Sequence, residues 1–116
     1  MNIANHLRLK FNSIFISTNM AYENNPLHLN QTEHKFEMTL DNSKAFIAYE
    51  QIGKKIRLIH TKVPAQLEGK GVASALVEKT LRYIDEHNYQ FVPQCAFIQS
   101  YLQKHPEWNR LAAESE

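Results

Sequence analysis

The sequence predicts an α+β fold in which a mixed sheet packs against helices. Short β-rich runs occupy residues 36–40, 45–52, 56–63 and 89–93, whereas apolar side chains recur at helical spacing in residues 72–88 and 96–104. The element order is therefore β-β-β-α-β-α. This order predicts strands that are antiparallel at first and a final strand pair that is parallel across a helix.

The first three strands are predicted to form consecutive hairpins. Apolar and polar side chains alternate in residues 36–40, and a turn at residues 41–43 separates this run from the second strand. Gly53 and Lys54 make the second turn. Pro64 ends the third strand because proline lacks a backbone N–H.

The helix that begins near residue 72 connects the third strand to the fourth. Its predicted buried face consists of Val72, Ala73, Leu76, Val77, Thr80, Leu81 and Ile84. A helix of this length is a crossover that makes the strands before and after it parallel neighbours. Ligands commonly bind at the C-terminal ends of such strands, so we look for functional side chains there.

Composition limits the classes of protein. At 116 residues, with 43% hydrophobic and 22% charged side chains, the chain is expected to form one core, as a monomer or a small homo-oligomer. The formal net charge of +1 argues against a nucleic-acid partner, because such domains usually carry a clustered basic excess. A single cysteine cannot form an intramolecular disulfide, and without a secretion signal it predicts the cytoplasm.

Residues 1–28 are predicted to be an extension, separate from a domain at residues 29–116. The apolar cluster within residues 7–16 is too short and too interrupted for a membrane span or a signal peptide, so no membrane partner is predicted. Residues 18–26 are polar and predict a loop or linker. The extension could be an added strand or helix, a flexible tail, or an upstream translation start before Met20.

The segment 66–73, Gln-Leu-Glu-Gly-Lys-Gly-Val-Ala, joins the third strand to the helix and holds two of the three glycines. Glycine lets backbone N–H groups face outward and lets an anion approach the main chain. The helix N-terminus adds unpaired N–H groups and the positive end of its dipole, and Lys70 adds a charge. The segment could bind phosphate, or it could simply make a tight strand-to-helix connection.

Four short segments, taken together, resemble one known family. They are Gln66-x-x-Gly69-x-Gly71, which fits a pyrophosphate-loop pattern Q/R-x-x-G-x-G/A, and the H-T-x-V-P, V-P-x-C and H-P-E segments at residues 60–64, 92–95 and 105–107. In this order and spacing, the chain resembles the small, single-domain YjdJ-type branch of the GNAT superfamily of acyl-CoA N-acyltransferases. The resemblance covers about residues 33–111.

The resemblance implies an acetyl-CoA-dependent N-acetyltransferase with a splayed pair of parallel strands. An amine of unknown identity would attack the acetyl thioester directly in a ternary complex, with acetyl-CoA as cosubstrate. The pantetheine arm would bind the backbone around residues 61–63, and the pyrophosphate would lie on residues 69–73. The implied cofactor-binding residues are Thr61, Val63, Gln66, Gly69, Lys70, Gly71, Val72 and Ala73. A non-catalytic acyl-CoA binder or an interaction module is the alternative.

Two residues are candidates for catalysis. Strand alternation places His60 on the face opposite Ile59 and Thr61, and an imidazole can act as a base or order a water near neutral pH. A structural histidine under the sheet is the alternative. Cys95 lies between a strand and a helix start, where it could orient groups, donate a proton or accept an acyl group, or could simply be a small buried side chain.

Two further interpretations complete the sequence-based picture. Tyr101 resembles the tyrosine with which many members of the superfamily protonate the leaving thiolate, but its spacing with apolar neighbours favours packing. The six histidines show no ligand spacing with Cys95, so no metal is predicted.

Overall fold

The computed structural model describes residues 22–114. Its sheet has five strands in chain order: β1 (His28–Asn30), β2 (Lys35–Leu40), β3 (Ser43–Ile52), β4 (Lys55–Lys62) and β5 (Gln90–Pro93). Strands β1 to β4 are antiparallel neighbours, and β4 and β5 are parallel. The predicted α+β class and the change from antiparallel to parallel pairing are confirmed.

The helices also lie where the sequence predicts them. Helix α1 (Val72–Glu86) connects β4 to β5, and helix α2 (Ala96–Lys104) follows β5. Short 3-10 helices span Ala65–Leu67 and Pro106–Leu111. Within the described part of the chain, neither α-helix is long and apolar enough to cross a bilayer.

The structure adds two β-pairings that the sequence pattern did not predict. Strand β1 pairs with β2 over only three residues, too few to show a periodicity. Its first residue, His28, is also the last residue of the predicted extension, whose residues 1–21 lie outside the described part. At the other end of the chain, Ala112 forms a parallel bridge to Phe91 and extends the edge of β5.

The core lies between one face of the sheet and α1. Cross-strand partners share a face, and on this face they are fully or nearly fully buried: Phe36 with Ile47, Met38 with Ala45, and Tyr49 with Leu58. Helix α1 packs its apolar side against β2, β3 and β5, with Leu76, Val77, Leu81 and Ile84 at 0% exposure. Helix α2 contacts α1, β4 and β5.

A bulge in β4 reverses which side chains face the core. Tyr49 pairs with Leu58 but Ala48 pairs with His60, so Ile59 is an extra residue with no partner in β3. Thr61 therefore lies on the core face, and His60 lies on the opposite face. His60 and Thr61 thus lie on opposite faces, as strand alternation predicts, whereas the bulge interrupts the alternation between Ile59 and His60, which are both exposed.

Thr80 is the weak point of this core. It lies on the buried face of α1 at 0% exposure, and its Oγ1 has no hydrogen-bond partner among the described residues. We predict that Thr80→Val raises the free energy of unfolding by about 1–2 kcal/mol, because valine keeps the shape and removes the unpaired hydroxyl. Denaturant titration measures this difference.

The matched control is Thr39→Val, at an exposed position of β2, which should change the free energy of unfolding by less than about 0.5 kcal/mol. A destabilised Thr80→Val protein would mean that the hydroxyl has a partner in solution.

Candidate active site

Strands β4 and β5 separate after Leu58. Their parallel register ends where Leu58 faces Pro93. The Leu58 carbonyl accepts hydrogen bonds from the N–H groups of both Gln94 (3.0 Å) and Cys95 (3.1 Å) as the chain leaves the sheet. Beyond this point β4 continues to Lys62 with β3 as its strand partner in the described chain. The open edge of β4 can therefore bind an extended ligand through its backbone.

Cys95 lies at this gap. It is the N-cap residue of α2, in extended backbone conformation, and its thiol makes no capping hydrogen bond. The half-buried Sγ lies 3.2 Å from Oγ1 of Thr61, and either atom can be the donor. This contact joins the end of β4 to the start of α2. Two of the predicted site residues are thus brought together across the gap.

His60 occupies the other face of the sheet. Its side chain is exposed, and its ring lies 6.3 Å from the ring of Phe46, measured between centroids. Thr61, the partner of the Cys95 thiol, points to the core face. The two predicted catalytic residues therefore approach the gap from opposite faces. The position of His60 differs from the buried position expected of a structural histidine.

The glycine segment has the backbone of an anion site. Gly69 and Gly71 have φ of 78° and 77°, in the left-handed region that side chains other than glycine rarely adopt. Gly71 is the N-cap of α1, whose start has no side-chain cap and no acidic residue in its first turn. By helix geometry, the first backbone N–H groups have no partner within the helix. They are free to bind an anion.

Tyr22 fixes the orientation of one peptide in this segment. Its hydroxyl donates a hydrogen bond to the carbonyl of Lys70. Because a trans peptide is planar, the N–H of Gly71 points the opposite way from that carbonyl. The sequence gives no sign of this role, because Tyr22 lies in the predicted linker and is 48 residues away along the chain.

A cavity of 390 Å³ lies between the glycine segment and the start of α2. Its floor includes the half-buried Val63 of the strand exit and the exposed Phe97 of α2. The complete lining is Val63, Leu67, Glu68, Gly69, Gly71, Val72, Ala73, Ser74 and Phe97. Five of the eight predicted cofactor-binding residues thus line this cavity.

The other three predicted cofactor-binding residues do not line this cavity. Thr61 contacts Cys95, and the exposed Gln66 donates a hydrogen bond to the hydroxyl of Ser43 at 2.6 Å. The backbone carbonyl of Lys70 is held by Tyr22. In the structure, Gln66 thus ties the segment to the start of β3.

Tyr101 is part of the packing between the helices. It is only 7% exposed, and its ring lies 4.3 Å from that of His105. Burial, and then the carboxylates of Glu78 and Glu107, raise the pKa of Tyr101 well above its ordinary value, although a hydrogen bond with Trp108 opposes this. This position agrees with the packing role that the spacing of Tyr101 predicts.

Comparison with known proteins identifies the family. The profile of the GCN5-related N-acetyl-transferases matches residues 35–111, from the second strand to the last 3-10 helix. The chain belongs to the GCN5-related N-acetyltransferase family. The GNAT resemblance of the sequence is thereby confirmed, whereas the YjdJ-type branch stays a prediction.

Similar sequences include vertebrate proteins. The chain is 32% identical to Protein NATD1 of Xenopus tropicalis over 66 residues, which cover 56% of this chain and 61% of that protein. It is 33% identical to Protein NATD1 of Homo sapiens, over 56% of this chain and 58% of that protein. The matched region therefore spans about three fifths of these relatives.

A solved structure supports the same fold. The solution structure of a GCN5-like protein from Staphylococcus aureus superposes with a TM-score of 0.60 at 26% sequence identity. The superposition covers 81% of this chain and 93% of that one. The mixed sheet with its crossover helix is therefore the GNAT fold.

Proposed function

We propose that this protein is an acetyl-CoA-dependent N-acetyltransferase that moves an acetyl group to a primary amine in a ternary complex. Family membership supports acetyltransferase activity in general. The observation that carries the finer proposal is the position of the glycine segment. A left-handed glycine turn and an uncapped helix N-terminus lie beside a gap between parallel strands.

The residues present fit coenzyme A. A Cβ at Gly71 would meet nothing within 4 Å, so there is open space where a pyrophosphate would contact the backbone. The first turn of α1 has no carboxylate to repel it, and Lys70 supplies a positive charge. The open edge of β4 around residues 61–63 would hold the pantetheine arm by backbone hydrogen bonds.

Bound acetyl-CoA would supply the acetyl group as a thioester. The acceptor nitrogen forms a bond to the acetyl carbon as the carbon–sulfur bond breaks, the amine loses a proton, and the coenzyme thiolate gains one. We assign Cys95, held by Thr61, to orienting the reacting groups or donating that proton. We assign His60, on the opposite face, to accepting the amine proton directly or through a water.

A non-catalytic acyl-CoA binder is the second candidate. The glycine segment serves it equally well, but it gives no use to the Thr61–Cys95 contact at the gap. Release of free coenzyme A thiol in a screen of amine acceptors separates the two functions.

The glycine segment generates the first functional prediction. Gly71→Ala should abolish most of the rise in melting temperature that acetyl-CoA causes, because a side chain would occupy the space of the pyrophosphate. We expect the affinity, measured by calorimetry, to fall at least about tenfold.

Gly53→Ala is the matched control. Gly53 also has positive φ (61°) and open space around its Cβ, but it lies in the β3–β4 turn. Both substitutions should cost about 1–2 kcal/mol of stability from backbone strain. Equal effects of the two variants on acetyl-CoA binding would refute the assignment of the loop.

The Tyr22 contact generates a second prediction. Tyr22→Phe removes one hydroxyl, releases the Lys70 carbonyl, and lets the Gly71 N–H turn away from the ligand. Coenzyme A affinity should fall about three- to tenfold, the range expected for one hydrogen bond. Tyr89→Phe, beyond the other end of α1, should leave the affinity unchanged. Wild-type affinity in the Tyr22→Phe protein would show that the loop is ordered without this contact.

Cys95 generates the third prediction. Cys95→Ser keeps the size and the hydrogen bond to Thr61, so acetyl-CoA binding should persist while turnover falls by roughly ten- to a thousandfold. No acetylated Cys95 should accumulate in the intact mass when acetyl-CoA is supplied alone. An adduct that transfers its acetyl group to an amine would disprove direct attack, and full activity of Cys95→Ser would make the cysteine a packing residue.

A further inference from the structure

The sheet face opposite the helices carries a basic stripe, which we define as Lys55, Arg57, His60 and Lys62 of β4. Each of these residues points away from the core, because its partner in β3 also lies on the outer face. No carboxylate lies on β4 itself. In the described residues, the lysines and arginines together are as many as the aspartates and glutamates together. The stripe is therefore a local excess of positive charge and does not reflect the net charge.

Within residues 22–114, ion pairs neutralise only part of this face. Arg57 lies 3.4 Å from Glu50 of β3, and the nearly buried Glu37 lies 3.6 Å from Lys44. These two are the carboxylates that the paired registers of β2, β3 and β4 place on the outer face. Positive charge therefore remains at both ends of β4, and Lys62 brings it to the gap between the strands.

Among the described residues, this face offers the acceptor an open approach. The cavity and the Thr61–Cys95 contact are on the side of the helices, where α2 contacts β4 and β5. The outer face carries exposed His60 and Ile59 directly beside the point where β5 leaves the sheet. An amine that reaches the gap from this side passes the basic stripe.

We propose that the acceptor amine is carried by an acidic segment of a polypeptide, which binds along the basic stripe. This inference rests on the proposed acetyltransferase function. The face is a strand surface with exposed Ile52 and Ile59 beside the charges, and such a surface fits an extended chain, whereas small molecules usually need a concave pocket. The complementary charge of an acidic segment would speed encounter and fix its register.

The test compares fluorescent peptides of about ten residues, each with one central lysine, binding to the acetyl-CoA-loaded protein. One peptide has Asp and Glu flanks, the second has Asn and Gln in their place, and the third has Lys and Arg. By anisotropy the acidic peptide should bind at least about tenfold more tightly than the neutral one, and the difference should shrink in about 0.5 M salt. The acidic peptide should also be the best acceptor when free thiol is measured.

Charge-reversed variants locate the binding. Lys62→Glu should remove most of the preference for the acidic peptide when both peptides are measured at saturating acetyl-CoA, because the Lys62 side chain points away from the core face. Lys104→Glu, an equal charge change on α2, should leave the preference intact. Equal binding of the acidic and neutral peptides, or an unchanged preference in Lys62→Glu, overturns the inference.

Two further measurements test a polyamine and a nucleic acid as alternative partners. Spermidine, a cationic amine, should be a poor acceptor, and single-stranded DNA matched in charge to the acidic peptide should compete weakly. Strong competition by the DNA would overturn the proposal of a polypeptide partner. If acetyl-CoA itself does not bind, the proposed function fails and this inference with it. If transfer occurs equally to neutral and acidic peptides, only the inference fails.

Discussion

The separation of β4 from β5 at Leu58 is the constraint on which the rest of the site depends. The N–H groups of Gln94 and Cys95 both turn back to the single Leu58 carbonyl, and the pairing of β4 with β5 ends there. This turn takes the chain out of the sheet and starts α2 with Cys95 as its N-cap. One local feature therefore opens the edge of β4 and also places a thiol beside it.

The bulge at Ile59 decides which side chains can use the gap. Without it, alternation from the buried Leu58 would point His60 into the core and Thr61 outward. With the extra residue, Thr61 points inward and contacts Cys95, while His60 points outward. Bulges are frequent near active sites because they re-aim a side chain without changing the fold. The bulge therefore leaves Thr61, with its Cys95 contact, on the core face of the gap and His60 on the outer face.

Two separate surfaces of this small protein are suited to negative charge. The first is made by the backbone N–H groups of the glycine segment, which Tyr22 and Gln66 tie to the rest of the domain. The second is made by the side chains of the basic stripe on the opposite face of the sheet. Because the sheet lies between them, a cofactor phosphate and an acidic acceptor could bind together without meeting each other.

The sequence by itself determined the strand order, both α-helices and the glycine segment, because hydrophobic period, turn residues and glycine spacing are local properties of the chain. Tertiary structure decided the rest. Strand β1 forms through its pairing with β2, and the orientation of the Lys70 carbonyl depends on a tyrosine 48 residues away. The faces of His60 and Thr61 depend on a bulge that exists only in the register with β3. Contacts between distant residues leave no period in the sequence, so local patterns could name the candidate site residues but could not orient them.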